Sequence, residues 1–165
     1  MIESVKEPIS FKTTADIKDI ADWFILKENM SNKKVQKLCY YAEAWCQALY
    51  NQSISENAQF EAWVHGPVSK VLWDTFRGYG WQPFKITNPR EVKDRLNKIL
   101  CEQQIDILES VWDTYGEYSA DELEMLTHQE KPWLEMRKGL SPYESGSNVI
   151  STRTMREYYG SRLVN

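Results

Sequence analysis

The sequence predicts an all-α protein, a mostly helical single domain of about six to eight helices, with at most a minor β element near residues 60–65. Three observations carry this. Apolar residues recur at helical spacing through most of the chain, most clearly in Val35, Leu38, Cys39, Ala42, Trp45, Cys46 and Leu49. Helix-start signals precede the runs: Ser31 or Asn32, Asn88-Pro89 with Glu91 three residues on, and Ser119 with Glu122. The 165 residues are about the size of one domain, and neither a repeat nor a low-complexity tract divides them.

Residues 1–12 hold Pro8 and few periodic apolar positions, and are expected to be a flexible N-terminal arm ahead of a domain over 13–165. Thr13 or Thr14 can cap a first helix, with Asp16 in its first turn and Ile17, Ile20, Ala21, Phe24 and Ile25 on one face. The strongest helix follows Ser31. Residues 51–59 are polar loop, and Phe60 to Val64 alternate like a short strand. His65-Gly66-Pro67 then breaks the strand, and Pro67 is expected in the first turn of a helix continuing through Val68, Val71, Leu72 and Phe76. Gly78 to Trp81 ends that helix. From Asn88 to Tyr115 the pattern is either one long helix or two with a kink near 101–104. Shorter helices start at Ser119, at Pro132 and at Ser151.

Composition narrows the function. The net charge is −4 and the pI about 5.3, which argues against a protein held to nucleic acid by phosphate contacts. Three cysteines (Cys39, Cys46, Cys101) give no disulfide framework. Cys39 and Cys46 lie two helical turns apart, roughly 10 Å by the helix rise, too far to share one zinc ion with His65 or His128. No apolar run approaches the ~20 residues that span a bilayer, and no leader is visible, so the chain reads as cytoplasmic with no membrane partner. No phosphate-loop or HExxH motif is present, no cofactor is implied, and no nucleophile has a base placed beside it. An enzyme is not expected. Beside nine tyrosines, the seven tryptophans exceed what a core of this size needs, and some of the tryptophans should face a partner.

Two segments are specific. The first is Lys34-Val35-Gln36-Lys37-Leu38-Cys39-Tyr40-Tyr41-Ala42-Glu43-Ala44-Trp45, followed by Glu61-Ala62-Trp63-Val64-His65-Gly66-Pro67-Val68. The second is Ser119-Ala120-Asp121-Glu122-Leu123, followed by Leu126-Thr127-His128-Gln129-Glu130-Lys131-Pro132-Trp133. Together they resemble the Panacea domain of SocA-like and GepA-like antitoxins, over roughly residues 15–160. Val35 and Cys39 stand where that family's pattern has leucines. The resemblance implies a helical, non-enzymatic antitoxin, often phage- or prophage-associated, that neutralises a cognate toxin by direct protein contact. Two alternatives come with it: an adaptor delivering the toxin to a protease, and a DNA-binding regulator of its own operon. The acidic pI counts against the last.

The motif residues divide into two groups. Leu38, Tyr41, Trp45, Gly66, Pro67, Thr127, His128 and Pro132 are expected to build core and turns. His128 is placed to bond carbonyls left free at a helix end. Tyr40 lies off the apolar stripe and is expected to reach a surface. With Trp63, His65, Trp73, Trp81 and Trp133 it is a candidate partner contact, since aromatic anchors dominate binding hot spots. His65 could also act as a base beside a helix N-terminus, but a structural turn explains it better. From Asp113 to Glu130 six acids occur without Lys or Arg. Asp113, Glu117 and Glu124 are therefore candidates to meet a basic toxin, although first-turn acids complementing helix dipoles explain part of the run.

Overall fold

The helix that follows Ser31 forms the axis of the protein. In the computed structural model, which describes residues 2–3 and 10–163, α2 (Asn32–Tyr50) begins where Ser31 Oγ accepts from the Lys34 amide. It ends at Asn51, whose φ of 55° is left-handed. Fourteen of its 19 residues are buried. A helix with one apolar face would be buried along a stripe; this one is enclosed on all sides. Around it pack α1 (Ile17–Lys27), α5 (Glu102–Tyr115), α6 (Ala120–Thr127), α8 (Thr152–Gly160) and a two-stranded hairpin. Tyr40, expected at a surface, is therefore 1% exposed, with its hydroxyl 3.1 Å from that of Tyr159. The apolar stripe located the helix but missed its polar side, because another element covers that side too.

Enclosure forces α2 to bury polar groups, and most of them are satisfied. Glu43 Oε1 accepts from the Ile54 amide at 2.8 Å, and Oε2 accepts from Gln47 Nε2 at 3.2 Å. Burial pushes the Glu43 carboxyl up from 4.5 to about 7, against the lowering effect of these bonds. Because the folded value is the higher one, the folded chain holds this proton more tightly than the unfolded chain. Stability due to Glu43 is thus greatest below about pH 4.5 and falls as pH rises to 7, by up to about 3 kcal/mol. Urea titrations between pH 4.5 and 7 are expected to show Glu43→Gln lacking that part of the decline.

The remaining elements follow local rules. Asp16, not Thr13 or Thr14, caps α1, in a reciprocal box with Asp19. Thr13 Oγ1 instead accepts from Ala15 N and Gln104 Nε2. The β element is real but larger than one strand: β1 (Glu61–Trp63) pairs antiparallel with β2 (Gly66–Val68), Trp63 opposite Gly66. Pro67 therefore lies in a strand, not in a helix, and α3 (Lys70–Phe76) starts three residues later with Ser69 as its cap. The switch has a simple cause. Gly66 has φ of 104°, open only to glycine, so the chain reverses after Val64-His65 instead of entering a helix.

A short 3₁₀ turn, Arg77–Tyr79, leads to Gly80, and the following loop is pinned where the Phe84 amide donates to Met30 O at 2.8 Å. The pattern from 88 to 115 resolves into two helices, α4 (Pro89–Ile99) and α5, broken at Leu100 and Cys101. α7 (Lys131–Met136) carries Pro132 in its first turn, and α8 is capped by Ser151. The described residues thus form eight α-helices and one small sheet. The arm expected over 1–12 falls largely outside them, although Phe11 N donates to Gln52 Oε1 and the Phe11 ring meets Tyr50 edge-on. Cys39 and Cys46 are buried and free, their thiols pushed up by burial. No helix among the described residues is long and apolar enough to cross a membrane.

Candidate functional site

The first two turns of α2, the hairpin, α3 and the segment after it enclose a cleft of about 720 Å³, within the size range of ligand sites. α2 contributes Asn32, Lys33, Gln36 and Lys37, a set at i, i+1, i+4 and i+5 that helical spacing brings onto one face. The hairpin contributes Trp63, Val64, His65 and Val68; Trp73, Arg77 and Trp81 form the opposite wall, and residues 145–147 close one end.

The walls are aromatic. Trp63 and Trp73 meet edge to face with centroids 5.3 Å apart. Trp63 Nε1 donates to Glu61 Oε1 at 3.0 Å. Trp73 is 37% exposed and Trp81, on the turn after Gly80, is 86% exposed. An exposed Trp beside two others is an unusual surface for a free protein and a familiar one for a binding face.

The floor is polar and mostly tied. The Gln36 side chain bonds both ways to Ser69, Nε2 donating to its carbonyl at 3.1 Å and Oε1 accepting from its amide at 2.8 Å. Lys37 Nζ donates to Pro67 O at 3.0 Å and has no carboxylate within ion-pair distance among the described residues. It is 1% exposed, and burial pushes its amine down from 10.5 to about 7, the charge of Glu124 opposing and that of Lys33 adding. Asn32 Oδ1 is buried without a hydrogen-bond partner.

At the rim, Lys33 Nζ lies 3.0 Å from Glu124 Oε1 and 2.6 Å from Asp121 Oδ1, and His65 Nδ1 lies 2.9 Å from Glu124 Oε1. Burial opposes ionisation of Glu124, but the hydrogen bond and charge of Lys33, with His65 and His128, hold its carboxyl below the ordinary value. Among the described residues lining the cleft, no Ser is hydrogen-bonded to a His, Asp or Glu side chain. Among the described residues, no group of three or more His, Cys, Asp or Glu is placed to hold a metal ion.

Trp63, His65, Trp73 and Trp81, four of the candidate contacts, thus come together on one cleft, and Glu124 joins them at its rim. Trp133 stands behind, 8% exposed, its Nε1 donating to Trp63 O at 2.9 Å. Tyr40 is core. Asp113 and Glu117 are exposed but away from the cleft lining. The six acids do not form a continuous face: Asp121 and Glu124 are paired with Lys33, and Glu130 is buried, accepting from Tyr41 at 2.7 Å and Tyr159 at 2.8 Å. Charge counting along the sequence cannot see a partner eighty or more residues away.

Leu38, Tyr41 and Trp45 pack in the core, where Tyr41 stacks on Tyr115 at 4.0 Å and Trp45 Nε1 donates to Tyr115 Oη at 2.9 Å. Gly66 and Pro67 are buried in β2, Thr127 at the end of α6 and Pro132 in the first turn of α7. His128 does cap the end of α6, but through its backbone; its ring stacks on Trp133 at 3.9 Å, with Nε2 buried and unpaired. Lys37 and Asn32 were not expected in a site. The available signal was Lys33 and Lys37 four apart, on the side of the helix away from its apolar stripe.

The family model described as antitoxin SocA-like, Panacea domain, matches residues 35–134. Neither a curated protein nor a solved structure matches the chain.

Proposed function

The chain belongs to the SocA-like antitoxin family built on the Panacea domain, and from that membership we propose that it neutralises a toxin protein in the cytoplasm by direct contact, without catalysis, using the tryptophan-lined cleft. The cluster of Trp63, Trp73 and Trp81 around one cleft carries this reading. Aromatic side chains lose little conformational entropy on docking and desolvate a large area, so a few of them can supply most of an interface's affinity. The paired and buried acids of the 113–130 segment offer a basic partner much less free charge than their number suggests.

The test is co-expression with the protein encoded by the adjacent open reading frame. Growth is expected to be rescued, the two proteins to co-purify, and the toxin's half-life to stay unchanged. A toxin that disappears faster in rescued cells would point to a proteolytic adaptor instead. A harmless neighbour, or rescue without a complex, would refute direct neutralisation.

A further inference from the structure

We propose that the cleft takes a short acidic and apolar segment of the toxin, seating a carboxylate on Lys37 while a neighbouring apolar side chain packs against Trp63, Trp73 and Trp81. The proposal rests on the reading of this cleft as the toxin-docking face and adds the chemistry of what enters it.

The first argument is charge. Lys33, Lys37 and Arg77 line the cleft, and no Asp or Glu does. Lys33 is already held by Asp121 and Glu124, so the lining cations outside any ion pair among the described residues are Arg77 at the wall and Lys37 at the floor. A buried amine with one carbonyl as its partner is half of an ion pair. Burial disfavours its charge, as the drop to about 7 records, and an incoming carboxylate would reverse that preference. The amine uses one donor on Pro67 O and has others left. The first residues of the 19-residue α2 also border the cleft, presenting the positive end of its dipole.

The second argument is the unpartnered Asn32 Oδ1, 94% of whose residue is buried at the same floor. A buried acceptor without a donor is costly. A peptide segment brings both what Lys37 lacks, a carboxylate, and what Asn32 lacks, an N–H. A phosphate brings no apolar side chain for the tryptophans, and a basic segment would set cation against cation. The volume of about 720 Å³ suits a few residues of extended chain rather than a helix.

The full chain is titrated, by tryptophan fluorescence, with three blocked pentapeptides of sequence Gly-Phe-X-Phe-Gly, where X is Glu, Gln or Lys, and with orthophosphate. The Glu peptide is expected to bind about tenfold tighter than the Gln peptide, and the Lys peptide weakest. Lys37→Met, an apolar replacement of similar length, should keep the fold by circular dichroism and erase the Glu-over-Gln preference. Equal binding of the three peptides, binding of none, or a preference for orthophosphate overturns the proposal.

The growth-rescue assay separates its failure from that of the docking reading. If Trp81→Ala weakens rescue and Lys37→Met does not, the cleft still docks the toxin and the carboxylate is wrong. If neither variant weakens rescue, both readings fall.

Discussion

Gly66→Ala is expected to destabilise the protein by about 4 kcal/mol, adding the cost of a left-handed backbone for a residue with a Cβ to that of overpacking a filled interior. The φ of 104° is one that alanine rarely adopts. The added Cβ would stand 2.5 Å from Lys37 Cε and 3.0 Å from Thr127 Oγ1, and Lys37 would have to give up its 3.0 Å bond to Pro67 O to withdraw. Gly80→Ala is the control. Its φ of 57° with ψ of −124° is likewise a glycine conformation, but nothing lies within 4 Å of the new Cβ, so it should show the backbone cost alone, about 2 kcal/mol. Urea unfolding of the two variants beside the parent measures both. A Gly66→Ala loss no larger than that of Gly80→Ala would show that the contact with Lys37 yields easily.

Replacing Trp73 and Trp81 together by alanine is expected to weaken toxin binding by about 4 kcal/mol, close to a thousandfold, with each ring acting as an anchor worth about 2 kcal/mol. Trp81 alone should lose its share of affinity with no change in unfolding midpoint, since its side chain is 86% exposed and supports nothing beneath it. Trp73 should lower stability slightly through its contact with Trp63. Calorimetric titration of the purified toxin into each variant separates affinity from folding. Full affinity in the double variant would move the interface elsewhere on the protein.

Most of the fold is legible in the sequence because most of it is local. Ser31, Ser119 and Ser151 each cap the helix their position suggests, since a cap is a matter of neighbours three residues apart. Long-range structure hides itself. Pro67 looks like a helix start, and only its pairing with Ala62 places it in a strand. Tyr40 looks outward until α8, more than a hundred residues later, covers it. The site shows the same split. Tryptophan surplus foretold an aromatic face, whereas Glu124 reads as a free acid until Lys33 is set beside it. Lys37 is passed over as a site residue because a polar residue inside a helical motif passes for its solvent side, and Asn32 reads only as an alternative helix cap.

The enclosure of α2 also has a consequence in time. Its most extensive neighbour is α8, the last described element to leave a ribosome, so the interior cannot close until residues 152–160 have been made. Until then α2 carries uncovered tyrosines and apolar side chains, and contacts this distant in sequence slow folding compared with a bundle of adjacent hairpins. Any binding surface that depends on the packed α2, the proposed cleft included, becomes competent only after α8 has been made.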